Sequence, residues 1–353
     1  MRVLVIGPSL LMPWTTYTVR GLARLGQSVA VFYYNNMTFD RLTGRATRAL
    51  AANVPGVARL VARCRQTWQE ARDERLLRVV ERVRPQLILV LWGHTLSAEI
   101  VRRVKARGRC PVVTWWVDDP FRYASAEVLA LYDRFFVFDR SYMTSLTGAG
   151  VPSVEFLPCA CDETVFFPRR LTRRDVRRYG CDVALVGWYY PSRAEVVRAL
   201  KHLDLRIWGR GWATAGVEAS LNGGTRRIVR SRRFIRDDLA ARIYSATTIG
   251  LNVHHTQSRE AGLNMRSFEL LAAGAFELVD RIPGMEELLE PGREVAVYGS
   301  PEEARGLAEY YLRHPEERVA IATRGHERVL REHTYVHRMQ TLLRAVTSCE
   351  VRS

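Results

Sequence analysis

Lysine is almost missing from this chain. Lys105 and Lys201 are the two lysines among 53 basic residues in 353, so arginine carries nearly all of the positive side of a +16 net charge. A strongly basic balance is the usual footprint of nucleic acid, an anionic membrane face or an acidic substrate. These arginines are scattered along the chain, which fits a plain solvated basic surface best, a peripheral contact with anionic headgroups next and a nucleic-acid partner least. Long apolar runs are missing too. The opening MRVLVIG is a buried-strand pattern that runs into a turn, too short for a signal peptide or a membrane span, and a cytoplasmic protein, at most peripheral to the inner membrane face, is expected. The six cysteines, Cys64, Cys110, Cys159, Cys161, Cys181 and Cys349, form no repeated C-x-x-C and have no histidine at zinc-finger distance. That argues against a disulfide scaffold or a structural zinc and for free thiols in a reducing compartment. G-x-G-x-x-G does not occur, so the loop Gly7 to Trp14 is not a dinucleotide fingerprint. No metal and no cofactor are expected, and there is no internal repeat or low-complexity tract.

What is present is an ordinary globular composition, 47% hydrophobic and 25% charged, in a chain longer than one core usually supports, so two domains are expected. Strand and helix signals alternate in the first half: strands at 2–6, 28–33, 86–91, 111–116, 134–137 and 153–157, helices at 16–25, 68–83 and 98–107. Such alternation argues an α/β fold with a parallel sheet. Met37 to Val61 shows no clear periodicity. The run FPRRLTRRDVRRY, followed by Gly180, is basic and opened by Pro168, as a linker would be. The alternation then resumes with strands at 182–186, 205–208, 248–252, 276–280 and 294–298, and turns helical after Pro301 with a break at His314 and Pro315. The expected division is an N-terminal Rossmann-like domain over 1–166, a linker over 167–180, a C-terminal domain over 181–335 and a last helix over 336–353.

The segment GLNMRSFELLAAGAFELVD, Gly262 to Asp280, holds the sharpest chemistry. A glycine-opened helix start presents free backbone N–H groups and a partial positive charge, which suits a diphosphate. Gly262, Leu263 and Asn264 are candidates to supply those N–H groups. Arg266 and Glu269 stand three apart and share one helix face; a guanidinium for phosphate and a carboxylate for two ribose hydroxyls point to a nucleotide-sugar donor. Arg193 is the candidate partner of Arg266 in neutralising a departing diphosphate. Gly187 ends one strand and is followed by Trp188, Tyr189 and Tyr190; Gly209 and Trp212 follow the next, and aromatic faces at two adjacent strand ends suggest a nucleobase sandwich. His254 and His255 follow a third strand, with His254 a candidate for the sugar site. On the acceptor side His94 follows LILVL, and Asp118 and Asp119 follow VVTWWV; each is a candidate to orient or deprotonate an acceptor hydroxyl, with turn capping before Pro120 the alternative for Asp119.

These residues also carry a resemblance. Gly262 to Gly274 resembles the donor-site signature of group 1 glycosyltransferases, and most closely the branch that resembles the CgeB spore-maturation type. WWVDDP (Trp115 to Pro120), VALVGWYYPSR (Val183 to Arg193), IWGRGW (Ile207 to Trp212) and VLREHTYVHR (Val329 to Arg338) resemble further elements of that branch in the same order. The resemblance implies a GT-B architecture, two Rossmann-like domains facing across a cleft with the last helix crossing back to the first. It also implies sugar transfer from a nucleoside diphosphate sugar to a hydroxyl acceptor on a glycan, lipid-linked or protein substrate, with retention of configuration. Because the donor-like features cluster in the second half of the chain, transfer independent of metal is expected. Glu269 then takes the place of the second glutamate of the E-x7-E pattern. The first would fall at Ala261, with Glu260 one residue out of register, and the usual lysine partner of the arginine is absent. Two other readings stand beside this one: a metal-dependent glycosyltransferase using Asp118 and Asp119, and a non-enzymatic nucleic-acid-binding or assembly protein on the same scaffold.

Overall fold

The computed structural model describes residues 1–9, 13–35, 54–221 and 224–348. Residues 10–12 of the Gly7 to Trp14 loop, much of Met37 to Val61 and Cys349 lie outside the described residues. The chain divides into two compact units, Met1–Leu157 with Val336–Ser353, and Pro158–Tyr335.

The first unit is built on a six-stranded sheet of β1 (Arg2–Gly7), β2 (Ser28–Tyr33), β3 (Leu87–Leu91), β4 (Val112–Trp116), β5 (Arg134–Val137) and β6 (Val154–Phe156). Its order is β2-β1-β3-β4-β5-β6 and every pairing is parallel. Parallel sheets are covered by helices on both faces, so their central strands are apolar throughout rather than alternating. LILVL and VVTWW are buried at all five positions. The strand order turns back at β1 and β3, and the carboxyl ends of two strands at such a reversal are where an open parallel sheet leaves a crevice.

The second unit repeats the plan with β7 (Val183–Val186), β8 (Leu205–Trp208), β9 (Val229–Ser231), β10 (Ile249–Asn252), β11 (Glu277–Asp280) and β12 (Ala296–Tyr298). The order is β12-β11-β10-β7-β8-β9, again with every pairing parallel, and it reverses between β7 and β10. Its core gathers Val183, Leu185, Ile207, Leu251 and Leu278 of the strands with Val197, Leu200 and Trp212 beside them.

The structure departs from the sequence expectation at three places. Helix covers Pro55–Val83, well before the expected start at Trp68, with Pro55 in the first helical turn where its missing N–H costs nothing. Residues 167–180, expected to link the domains, fall inside the second unit and hold a helix, Arg173–Tyr179, closed by a reciprocal cap between Thr172 and Asp175. β9 was not expected; it is three residues long and pairs with β8 through a register shift at Ile207 and Trp208. No described helix is long and apolar enough to cross a membrane.

Candidate functional site

The strand reversal in the second unit places the ends of β7 and β10 side by side, and the candidate donor residues collect there. β7 runs into Gly187, whose carbonyl accepts a hydrogen bond of 2.9 Å from Trp212 Nε1. Gly209, at the end of β8, passes so close beneath that a β-carbon there would collide with the Gly187 carbonyl. Both glycines are therefore set by backbone approach rather than by flexibility. Trp212 is fully buried and lies edge-on to Tyr189, 5.3 Å between centroids. The expected sandwich by Tyr189 and Trp212 is corrected: Trp212 has no free face and anchors the loop, and Tyr189 packs against it. Trp188 is the aromatic that stays open, 48% exposed, with the Arg210 guanidinium 5.8 Å from its ring.

Arg193 ties the two strand ends together. Its Nη1 donates to the Trp188 carbonyl at 2.7 Å, and its Nε and Nη2 donate to the Val253 carbonyl at 3.1 and 2.9 Å. A β-carbon on Gly187 would lie 2.7 Å from Arg193 Nη1 and 3.2 Å from Arg266 Nη2, so two guanidiniums converge on one point. Among the described residues no carboxylate forms an ion pair with either arginine, although Arg193 is 4% exposed. Burial, with the repulsion of Arg266 added, pulls the Arg193 pKa down to about 9. The Tyr190 ring, 4.7 Å away, and the field of Asp280 offset this in part, but a buried cation beside a second cation and without an ion-paired carboxylate still favours the arrival of an anion.

Arg266 lies on the Met265–Ala272 helix, hydrogen-bonded to the buried Tyr244 hydroxyl, with its Nε buried and unpartnered. Glu269, one turn on, is half-buried and forms no ion pair with Arg266 or any other cation among the described residues. Burial, and then the nearby Asp237 carboxylate, push its pKa well up against the pull of Arg266.

The loop before this helix is held from below. Asn264 sits at the N-cap position but its side chain makes no cap; it exchanges two 3.1 Å amide hydrogen bonds with Asn252 at the end of β10. Asn252 Nδ2 also donates to Ser267 Oγ at 3.0 Å and to Glu277 Oε1 at 2.9 Å. The helix start therefore keeps its leading N–H groups uncapped by any side chain. Leu263 departs from the expectation: it is fully buried, and its N–H is spent on the Ala261 carbonyl at 3.0 Å, so it shapes the loop around Gly262 and has no N–H for a ligand. Ala261, in the place of the missing first glutamate, is buried at φ 54°. Glu260 is exposed. His254 is 3% exposed; its Nδ1 and its backbone N–H both meet Asp280 Oδ1, at 2.7 and 2.9 Å, which puts a proton on Nδ1 and leaves Nε2 buried without a partner. Glu277 is fully buried and its pKa is raised by burial to about 6, with Oε2 unpartnered. Asn252, Ser267, Tyr244 and Asp280 did not figure among the sequence candidates; the available signal was a polar residue within each of two buried strands, IGLN and ELVD.

In the first unit His94 follows β3 and lies against Trp92, 3.9 Å between ring centroids. Burial, helped by Arg72, lowers its pKa to about 4, so the imidazole is neutral near pH 7. Asp119 Oδ1 accepts from the Phe121 N–H at 3.0 Å and caps the short turn Pro120–Arg122, the structural alternative expected for it. Asp118 is half-buried beside it.

Comparison with known proteins agrees with this geometry. Residues 193–344, which include Arg193, Arg266 and Glu269, match a family model described as glycosyl transferase-like. The chain is similar to the spore protein CgeB of Bacillus subtilis (strain 168), 21% identical over 269 residues, covering 72% of this chain and 81% of the relative. Among solved structures it resembles the Anabaena protein HepE in complex with UDP-glucose, with a TM-score of 0.66 at 12% identity over 99% of this chain and all of the other. It also resembles a glycosyltransferase from Rickettsia africae, at 0.65 and 10% over 100% and 99%, and the lipopolysaccharide outer core galactosyltransferase WaaB, at 0.59 and 12% over 99% of each. The two parallel six-stranded sheets are those of the GT-B class, as the sequence led us to expect. The family model over residues 193–344, the curated relative and the fold agree: the chain has the GT-B fold and resembles glycosyltransferases of the group 1 type.

Proposed function

We propose that the second unit binds a nucleoside diphosphate sugar and that the first presents an acceptor hydroxyl. The observation that carries the donor half is the convergence of Arg193 Nη1 and Arg266 Nη2 on Gly187 without a carboxylate between them. A diphosphate there meets two guanidiniums and the uncapped start of the Met265–Ala272 helix. Charge on the leaving diphosphate grows as the glycosidic bond breaks, so fixed cations stabilise the transition state more than the ground state. Because two guanidiniums can supply that charge, we propose transfer independent of a divalent ion. Glu269, which forms no ion pair, is assigned to the ribose hydroxyls. His254, which follows β10 and whose Nε2 is buried and unpartnered, is assigned to the sugar. His94, neutral, and Asp118 are assigned to the acceptor, and retention of anomeric configuration follows from the group 1 resemblance.

The HepE complex with UDP-glucose makes uridine nucleotides the first donors to try. Incubation with UDP-sugars in EDTA, followed by mass spectrometry and NMR of the anomeric proton, tests the reading: release of nucleoside diphosphate with an anomer matching the donor is expected. An absolute need for a divalent ion, or inverted product, overturns the corresponding part. Peripheral contact with an anionic membrane face belongs to this reading, because Arg59, Arg63 and Arg65 flank Leu60, 62% exposed, on the Pro55–Val83 helix. Failure to float with anionic vesicles at low salt removes it.

A further inference from the structure

The acceptor side of the first unit carries an aromatic corner at the β1/β3 strand reversal, the place where an open sheet leaves room for a ligand. β3 ends in Trp92 and Gly93, both with positive φ, 64° and 47°. Glycine tolerates that backbone, and a β-carbon at position 93 would also lie 2.7 Å from the Tyr132 hydroxyl. Tryptophan does not adopt it readily, and a bulky residue held there is an outlier that needs a reason. What the conformation achieves is a cluster of rings. Trp92 lies 3.9 Å from His94 and 5.2 Å from Tyr123, and Tyr34 lies 5.6 Å from His94. Tyr123 is 36% exposed, and the Trp92 indole N–H is buried without an acceptor, an unmet donor at the foot of the corner.

We infer that this corner binds a pyranose ring of a carbohydrate acceptor, with Tyr123 and Trp92 as its aromatic walls. This rests on the reading of the first unit as the acceptor side. A pyranose has a face of C–H groups that packs on an aromatic ring and a rim of hydroxyls that needs donors and acceptors. The Trp92 and Tyr123 planes meet at 78°, which makes a corner rather than the parallel slot a planar base would enter. A cationic ligand, the other common guest of clustered aromatics, is disfavoured because the Arg122 guanidinium already lies 5.6 Å from the Tyr123 ring centroid. The neutral His94 imidazole offers an acceptor nitrogen to a sugar hydroxyl, and that hydroxyl's oxygen can meet the Trp92 N–H.

The test is saturation-transfer NMR on the full chain with methyl α-glucopyranoside, methyl β-galactopyranoside, methyl N-acetyl-β-glucosaminide, tetramethylammonium and adenine as probes. Wild type is compared with Tyr123→Ala and Tyr123→Phe, and UDP binding is followed in parallel by thermal shift. At least one glycoside is expected to bind in the millimolar range, Tyr123→Ala to weaken it about tenfold, and Tyr123→Phe to hold it within about twofold, a change of less than about 0.5 kcal/mol. Absence of glycoside binding in a chain that still binds UDP overturns the inference, as does preference for tetramethylammonium or adenine, or indifference to Tyr123→Ala. Glycoside binding without any nucleotide binding would support the corner and sink the donor assignment instead.

Discussion

Arg193 and Arg266 point their guanidiniums at one place and do different work there. Arg193 spends three N–H groups on the Trp188 and Val253 carbonyls, a fork that a lysine cannot reproduce. Arg193→Lys is expected to destabilise the second unit by about 2 to 3 kcal/mol, read by urea unfolding, since buried carbonyls lose their donors. Arg266 has its Nε unpartnered and sits beside a like charge. Arg266→Ala is therefore expected to cost less stability than Arg193→Lys, about 1 kcal/mol, because relieved repulsion offsets part of the loss of the buried Tyr244 hydroxyl's partner, while lowering nucleotide affinity at least about tenfold. Equal losses of stability in the two variants would contradict the division of labour. Both arginines were visible in the sequence because each follows a glycine break and lies in the first turn of a helix.

At the scale of elements, the polar tie between β10, β11 and the Met265–Ala272 helix gives the second unit a pH signature. Burial raises Glu277 from 4.5 to about 6 in the folded chain, so the folded state holds its proton over a range where the unfolded state has lost it. The stability this group contributes is thus complete below the unfolded pKa and lost as pH rises through about 6. Between about pH 4.5 and 7.5 the wild type should lose about 2 kcal/mol relative to Glu277→Gln, whose side chain does not titrate. Urea unfolding curves of the two chains that stay parallel across this range would exclude it. This tie was the least legible part of the site. Asn252, Ser267 and Glu277 lie 10 to 25 residues apart in sequence, and they meet because β10 and β11 pair side by side. The parallel strands themselves were legible, because LILVL, VVTWW and VALV are buried on both faces and contain no competing period. β9, reading VRS, lacks that apolar run. The basic run before Gly180 hid a helix whose start was written in Thr172 and Asp175, a capping spacing that its charge obscured.

At the scale of the molecule, the two units share one design: a parallel six-stranded sheet whose order reverses once, with the candidate residues gathered at each reversal. The +16 charge acts over the whole surface, where salt screens it within about 8 Å at physiological ionic strength. The arginine pair at Gly187 is sheltered by comparison, with Arg193 4% exposed. Adding salt should therefore weaken any surface attraction far more than nucleotide binding. Isothermal calorimetry with UDP and UDP-glucose in EDTA, at low and at about 0.5 M salt, on wild type, Arg266→Ala and Glu269→Ala, tests donor binding at the arginine pair. Binding without metal that largely survives the salt and falls at least about tenfold in both variants is expected. Binding that requires a divalent ion, or that is the same in all three chains, would contradict that expectation.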